Sequence, residues 1–417
     1  MSIHKRVAFF LILLTIPLYL LSLWLVSRTV LGEISLRKMN EKGLLSAVSY
    51  DSRNATYHYL LGRFYQYNSD AFDPDKAISH YQESIRLSPL QGGCWLDLSK
   101  AYQTAGMEKE AGRAIERALR LDPRNPEVIW EAGLFYLISG NLETAVKNLR
   151  EVILLRPERQ ETIYDLLWKI ELEPEYIIKE VVPDSYPYYK RYFLYLISTG
   201  RVSESHDLWR TMARFPVEDE LFVRYTDFLI SRRLYEDAEQ TWRDFVGKKF
   251  AGKTEDQPSL IWNGSFEFDM QNGGLDWKIG KTKGAMPFLD SDIHISGGRS
   301  LGVSFDGKHN PDITVASQVV RVVPGANYLL RGYARSDSLT TTNGVFISVE
   351  GHKCKGLYKK SEVITGNNFW RDITVEFETP PECGAVSIKI RREKSEKLDN
   401  KISGTAWVDG ISLMKRS

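Results

Sequence analysis

Acidic and histidine side chains in this sequence could hold a metal ion or transfer protons, but their spacing gives little support to either chemistry. The sequence lacks a dinucleotide-binding fingerprint, a His-Glu-x-x-His helix and the paired cysteines of a zinc site, and its seven histidines are spread singly. Asp290, Asp292 and His294 would project from one face of a strand as a metal trio, although a solvated outer face explains them better. We therefore expect no catalytic residues, and a protein that is not an enzyme.

Aromatic side chains in the last third of the sequence could bind a sugar, because a sugar ring stacks its C–H groups on a flat aromatic surface beside a few polar groups. Trp277 and Trp370 each follow a turn rich in glycine and asparagine, and Tyr358 has three lysines nearby that would suit an acidic glycan. These three are the candidate carbohydrate-binding residues. Trp262 and Trp407 lie in apolar strand patterns and are expected in the core. The alternative for Trp277 and Trp370 is packing beneath their own loops.

Charge and length limit the possible functions. The 417 residues suffice for two or three domains, and the 55 basic side chains nearly cancel the 54 acidic ones. A net charge this small creates no global field that would recruit nucleic acid or an anionic membrane. We therefore expect no nucleic-acid partner.

The three cysteines leave the redox state open. Cys94 is next to a tryptophan in a helical pattern and is expected to be a buried small hydrophobe. Cys354 and Cys383 belong to the same C-terminal region and could form a disulfide in an oxidising compartment, or remain as two thiols.

The N-terminal region contains an uncharged apolar run from Val7 to Val26. As a helix, these twenty residues would span about 30 Å of hydrocarbon. The run is longer than the apolar part of a signal peptide and no small-x-small cleavage site follows it, so residues 1–32 are expected to be an uncleaved transmembrane anchor. The expected localisation is a single-pass inner (cytoplasmic) membrane protein whose soluble part is periplasmic.

A period of 34 residues dominates the first half of the sequence. Small residues and prolines both recur at this interval, which indicates an array of helical hairpins. Within one hairpin, small side chains let the second helix approach the first. The recurring residues are Ala77, Ala111 and Ala145, and Pro89, Pro123 and Pro157.

The repeat resembles the tetratricopeptide repeat, and residues 92–125 show the resemblance best. The family usually has glycine where this unit has Ser99. The resemblance implies a curved α-solenoid whose concave surface binds protein partners. The matching residues are Trp95, Leu98, Tyr102, Gly106, Ala111, Ile115, Ala118 and Pro123.

Less regular sequence surrounds the repeats. Residues 33–54 are expected to form a polar helix that leads into the array, and two divergent hairpins are expected after residue 187. The solenoid would therefore occupy 33–246, and the glycine-punctuated stretch 247–257 would be a linker. From 258 to 417 the apolar residues alternate in many short segments, which predicts an antiparallel β-sandwich. The expected fold class is multidomain α plus β: a transmembrane helix, an α-solenoid and a jelly roll.

The C-terminal domain resembles the galactose-binding-like jelly rolls of carbohydrate-binding modules in the family 4, 9 and 22 group. The segments that carry the resemblance are 261–267, 274–277, 296–301, 324–328 and 406–413. In such modules the opening glutamate and the aspartate of the last strand commonly surround a structural calcium, which by position implies Glu267 and Asp409 as metal ligands. The family often closes with two adjacent aspartates, where this chain has Asp409 and Gly410, and a third acid is missing. A cofactor is not expected to be required, with structural calcium as an option.

Three functions remain compatible with the sequence. The first is a non-enzymatic, membrane-anchored envelope scaffold that binds protein partners through the solenoid and glycan through the sandwich, in exopolysaccharide or surface-glycan assembly or export. The second is a protein-only adaptor whose jelly roll has no sugar site. The third is an enzyme with an unrecognised site. Glu267 and Asp409 could act as a glycosidase pair, but the resemblance implies a structural site at a strand end rather than a cleft.

Overall fold

The computed structural model describes residues 3–250, 259–398 and 400–416. It divides into two compact units, Met1–Met212 and Ala213–Ser417. Most of the predicted linker, 247–257, lies outside the described residues.

The first unit is a stack of antiparallel helical hairpins, as the 34-residue period predicted. Three regular hairpins are α3–α4, α5–α6 and α7–α8, and prolines interrupt the helices that follow. Its helices are α1 (Ile3–Leu36), α2 (Glu41–Tyr50), α3 (Ala55–Tyr67), α4 (Pro74–Leu87), α5 (Gly92–Thr104), α6 (Glu108–Leu121), α7 (Pro126–Ile138), α8 (Leu142–Leu155), α9 (Gln160–Lys169), the short α10 (Pro174–Tyr176), α11 (Tyr186–Thr199) and α12 (Val202–Met212).

Small residues hold the two helices of each hairpin together. Ala111 on α6 is fully buried, and a methyl group added at Gly133 on α7 would lie 3.0 Å from Leu149 on α8. Ser99, where the repeat departs from glycine, donates its hydroxyl hydrogen to the Ala111 carbonyl at 2.9 Å. The hydroxyl is satisfied inside the hairpin, which explains how serine is accommodated at this position.

The start of the array differs from the prediction of one polar helix over 33–54. Helix α1 continues to Leu36, and α2 begins after a turn with the Asn40 side chain accepting from the Gly43 amide at 2.8 Å. The segment Thr15–Leu36 of α1 has the length and composition to cross a membrane. The last turns of the apolar helix are therefore also part of a helical hairpin.

Direct contacts join α1 to α2 and α3. Arg28 donates to the Tyr50 carbonyl at 2.5 Å, and the Tyr57 hydroxyl on α3 donates to Glu33 at 3.0 Å. A Cβ atom at Gly32 would lie 2.9 Å from the same hydroxyl, so the two helices approach as closely as a glycine allows. These contacts make the end of α1 the first helix of the stack.

The second unit begins with one more hairpin, α13 (Asp219–Ser231) and α14 (Tyr235–Lys249), which packs on the β-sandwich. Asp227 accepts from the Gly274 amide at 3.0 Å and pairs with Lys278 at 2.8 Å. The Trp242 ring contacts Gly274, where φ is +61° and a Cβ atom would lie 2.4 Å from the ring. The boundaries at 246 and 258 remain predictions.

Two five-stranded antiparallel sheets form the sandwich, as the alternating pattern predicted. One sheet has the order β1-β4-β9-β6-β7 and the other β2-β3-β10-β5-β8, which is a jelly-roll architecture. The strands are β1 (Lys278–Ile279), β2 (Ala285–Asp290), β3 (Ser300–Asp306), β4 (Ile313–Arg321), β5 (Asn327–Leu339), β6 (Phe346–Gly351), β7 (Tyr358–Lys360), β8 (Gly366–Glu378), β9 (Ala385–Arg392) and β10 (Ser403–Lys415).

Covalent and polar contacts tie the loops of the sandwich to its apolar core. Cys354 and Cys383 form a disulfide with their Cα atoms 5.5 Å apart, and Gly351 lies against both sulfur atoms. Arg392 is fully buried and donates to the carbonyls of Pro311, Asn343 and Asn400. These carbonyls belong to three different loops, so one guanidinium group joins them at the same end of the sandwich.

Candidate functional site

Two carboxylates hold one loop of the sandwich, which we call the anchored loop, residues 293–299. The carboxylate of Asp409 is buried and accepts from the backbone amides of Ile295 at 2.8 Å, Ser296 at 2.9 Å and Gly410 at 2.6 Å. Asp409 lies where the pairing of β10 with β5 shifts register, and Gly410 has a φ of +57°. The bulge turns this aspartate towards the loop.

Glu267 holds the other end of the anchored loop. One of its carboxylate oxygens accepts from the amides of Gly298 and Arg299, both at 2.9 Å. Gly297 has a φ of +60°, and a Cβ atom there would lie 2.5 Å from the Glu267 carboxyl carbon. Only glycine lets the loop approach the carboxylate this closely.

A buried turn positions Glu267. The side chain of Asn263 accepts from the Phe268 amide at 3.0 Å and donates to the Phe268 carbonyl at 2.9 Å, which closes the turn around Glu267. The Trp277 indole donates to the Asn263 carbonyl at 2.9 Å. The turn that Asn263 closes therefore positions the glutamate.

Burial changes the acidity of two aspartates here. Burial raises the pKa of Asp276 to about 6, against the hydrogen bonds from the amides of Gln271 and Trp277 that favour the charged form. Burial also raises the pKa of Asp409, with a smaller contribution from the negative charge of Glu267. Backbone N–H groups donate hydrogen bonds to both carboxylates.

Next to the anchored loop is a cleft of about 300 Å³. Tyr333 on β5 supplies an aromatic ring, and the Arg331 guanidinium lies 5.4 Å from its centre and pairs with Asp372 at 2.8 Å. A few polar groups beside one ring are the composition of a small-molecule site. The lining residues used below are Glu267, Ser265, Ser296, Arg331, Tyr333 and Ser412.

The two carboxylates do not fit a calcium site. Calcium requires six to eight oxygen ligands, whereas backbone N–H groups already point at the carboxylate oxygens of Asp409 and at one oxygen of Glu267. Within the described residues, no group of three or more acidic, histidine or cysteine side chains could hold a metal. Their observed role is to anchor the loop.

The three predicted sugar-binding residues lie in three different environments. Trp277 is fully buried, so the structure corrects its assignment as a platform: its ring presents no face to a ligand, because it packs beneath its own turn. Trp370 is half-buried on β8. It lies two residues before Asp372, which is opposite Tyr333 in the register of β5 with β8. Tyr358 is exposed on β7 of the other sheet and donates to Glu393 at 3.1 Å. Trp370 and Tyr358 therefore lie on edge strands of different sheets.

Asp290 of the proposed metal trio has a different role. Its carboxylate accepts from the Trp407 indole at 2.8 Å and from the amides of Asp292 and Ile293. Trp407 is buried as predicted, and Trp262 is half-buried against Phe268.

Two stretches match catalytic sequence patterns but lack the structural context that those patterns need. Residues 298–302 read Gly-Arg-Ser-Leu-Gly, yet Ser300 is buried at the start of β3 and donates to the Ile293 carbonyl at 2.5 Å. Residues 247–254 fit a phosphate-binding-loop pattern, but their first residues end helix α14 rather than follow a strand.

The sequence did not single out Tyr333, Arg331 or Ser296 as site residues. Alternation along β5 could have placed Tyr333 and Arg331 on one outward face. Their neighbours in the cleft come from segments at least 34 residues away in the chain, and no periodic signal connects such segments.

Comparison with known proteins supports the helical part of this architecture. Residues 93–125 match the family model of the tetratricopeptide repeat. Superkiller protein 3 of Schizosaccharomyces pombe is 35% identical over 81 residues, 19% of this chain and 6% of that protein. The TPR repeat-containing protein YpiA of Bacillus subtilis is 30% identical over 100 residues, 24% of each chain. The chain thus spans a quarter or less of the curated relatives it matches.

Solved structures resemble each half of the chain. MamA is 16% identical and covers 47% of this chain and 97% of its own, with a TM-score of 0.32. TmCBM61, solved in complex with β-1,4-galactotriose, is 16% identical and covers 38% of this chain and 100% of its own, with a TM-score of 0.27. The chain combines a stack of helical hairpins, of which residues 93–125 match the tetratricopeptide-repeat model, with a two-sheet jelly roll.

Asp276 should make the sandwich less stable as pH rises from 4 to 6. Its pKa of about 6 in the folded protein exceeds its ordinary value of 3.8, so the bound proton favours folding. This contribution is complete below pH 3.8 and lost through pH 6, and amounts to about 2 to 3 kcal/mol at 1.4 kcal/mol per unit. Hydrogen exchange of sandwich peptides in urea should show the fall, and Asp276→Asn should remove it.

The control for this experiment is Asp269→Asn, since Asp269 is an exposed acid on the same turn. It should keep the pH dependence of the wild type. A pH dependence that survives in Asp276→Asn would contradict the assignment to this carboxyl.

Calcium should leave the melting temperature of the sandwich unchanged, because amide donors already occupy the carboxylates. Asp409→Asn should lower the unfolding free energy by about 1 to 3 kcal/mol with or without calcium. The asparagine side chain has one acceptor oxygen fewer than aspartate, so a buried backbone N–H group loses its partner. Thermal unfolding in calcium and in EGTA measures both, with the exposed Asp292→Asn as control. Calcium-dependent stabilisation of the wild type that is lost in Asp409→Asn would show a metal site after all.

Proposed function

We propose that this protein is a non-enzymatic, membrane-anchored envelope scaffold whose sandwich binds saccharide and whose repeat array binds protein. The observation that carries the proposal is the cleft beside the anchored loop, where the Tyr333 ring lies among the charged and hydroxyl groups of Glu267, Arg331, Ser265 and Ser296. The resemblance of the domain to carbohydrate-binding modules agrees with this proposal.

The cleft suits a sugar for physical reasons. About 300 Å³ accommodates one or two sugar rings, an aromatic ring can receive axial C–H groups, and carboxylate and hydroxyl oxygens can accept from sugar hydroxyls. One oxygen of Glu267 is engaged by the loop amides, which fixes the direction of the carboxylate. Arg331 adds N–H donors for sugar hydroxyls, and because Asp372 and Glu267 balance its charge, the cleft suits a neutral or weakly charged saccharide.

Trp370 extends the proposed binding face. It is on β8, the edge strand beside β5, on the strand face that alternation assigns to Asp372 and Tyr333. Tyr358, with its neighbouring lysines on the other sheet, remains a separate proposed contact for an acidic glycan.

The repeat array offers a polar surface for a protein partner. Arg63 on α3 lies 3.7 Å from Asp97 on α5, and Lys100 on α5 pairs with Glu131 on α7 at 2.6 Å. Charged groups from three successive first helices therefore share one side of the stack, which in tetratricopeptide repeats is the concave side.

Two features favour an extracytoplasmic location. The apolar helix α1 can span a membrane by length and composition, and the Cys354–Cys383 disulfide would persist in an oxidising compartment. Anchor, repeat array and saccharide-binding jelly roll together fit a role in polysaccharide assembly or export. The alternative is a protein-only adaptor, which would leave the cleft without a sugar.

Titration of the purified full chain with a panel of neutral and acidic saccharides tests the proposal. At least one saccharide should bind, and Tyr333→Ala should weaken binding about three- to tenfold, the typical contribution of one aromatic stacking contact. Trp370→Ala should weaken it too if the face extends across β8, and Tyr358→Ala should matter only for acidic saccharides.

Phe369→Ala is the matched control, because Phe369 is 87% exposed, neighbours Trp370 and does not line the cleft. It should bind like the wild type. No binding to any saccharide would favour the protein-only adaptor, and binding that survives Tyr333→Ala and Trp370→Ala would place the sugar elsewhere.

A further inference from the structure

The continuity of α1 fixes which end of the first hairpins faces the membrane. The predicted span ends near Val26, but the same helix continues to Leu36, about 15 Å further at 1.5 Å per residue. The Arg28 bond to the Tyr50 carbonyl places the end of α2 level with the start of this extension. The turn at 51–54 therefore lies at the membrane end of the stack.

The next turn lies at the same end. The Ser84 hydroxyl on α4 donates to the Ala55 carbonyl at the start of α3 at 2.8 Å, so the last turn of α4 is beside the first turn of α3. The turns 88–91 and 122–125 follow from the antiparallel alternation of the helices. We call 51–54, 88–91 and 122–125 the membrane-facing turns.

Exposed positive charge collects at these turns. Arg53, Arg120 and Arg124 are exposed and have no ion-pair partner within the part of the chain that the structure describes. Two carboxylates lie nearby: that of Asp51 accepts from the Arg53 amide at 3.2 Å, and that of Asp122 packs against Gly92. Neither contact removes the negative charge, so the three exposed arginines are opposed by two aspartates.

An exposed apolar side chain accompanies the arginines. Leu90 in the turn 88–91 is 73% exposed, and apolar side chains are exposed at the opposite end too, where Phe72 is 53% and Ile138 80% exposed. The opposite turns are mixed in charge, with exposed Asp70, Asp75 and Glu108 beside Lys109. The two ends of the hairpins thus differ in charge.

We propose that the membrane-facing turns rest on anionic lipid headgroups, so that the start of the array lies along the bilayer surface. This inference rests on the proposed anchor. Guanidinium groups pair with lipid phosphates, Leu90 enters the headgroup region, and helix α1 supplies the high local concentration that makes a few weak contacts sufficient.

Depth-dependent quenching in nanodiscs tests the proposal with the full chain. A fluorescent label at Leu90→Cys should be quenched by spin-labelled lipid at least about twofold more in discs with anionic lipid than in neutral discs. A label at Phe72→Cys is the matched control, since Phe72 is 53% exposed on an opposite turn. It should remain unquenched in both.

Charge dependence separates lipid contact from simple proximity. Arg53→Gln, Arg120→Gln and Arg124→Gln combined should reduce quenching at position 90 in anionic discs to the neutral level, with helix content unchanged by circular dichroism. Equal quenching at positions 90 and 72, or no effect of anionic lipid, would overturn the proposal and leave the anchor intact. Failure of the chain to enter nanodiscs would overturn both.

Discussion

The close packing of α1 on α2 and α3 is the constraint on which the rest of the helical unit depends. Gly32 admits the Tyr57 ring, Glu33 accepts its hydroxyl, and Arg28 reaches the end of α2. These contacts make the apolar helix part of the solenoid instead of a tether. One helix therefore sets the direction of the hairpins that follow.

In the sandwich, two carboxylates hold the anchored loop in place. Asp409 and Glu267 each take backbone amides of the same loop, and this loop forms one wall of the cleft. A carboxylate that accepts N–H donors is fixed in direction without a metal ion. The site is therefore built from local backbone geometry, with glycines at 297 and 410 where the chain has positive φ.

Much of the fold follows from the sequence because it is periodic. The interval of 34 residues locates the hairpins, and Ala111 and Gly133 are buried where helices approach. Alternation predicted the strands. The prediction of one polar helix over residues 33–54 was wrong because the hydropathy of α1 falls after Val26 although the helix continues. The change in composition therefore does not mark the end of the helix.

The candidate site was less predictable, because its residues come together only through tertiary contacts. Trp277 follows a turn, which suggested exposure, yet its indole is needed to hold Asn263. In the sequence, Tyr333 looks like any other outward-facing residue of an alternating strand. Only its position in the cleft marks it as a candidate site residue. The pairing of Glu267 and Asp409 was visible in the resemblance, but the amides that occupy them were not.

The central claim is that helix α1 and the repeat array form one rigid body. Electron–electron double resonance between spin labels at Ser22→Cys and Ser52→Cys, in the full chain in nanodiscs, tests it most directly. Cys94 is buried and the other two cysteines form a disulfide, so they should not be labelled. A single narrow distance distribution is predicted, and a broad distribution would show a flexible tether and contradict the account.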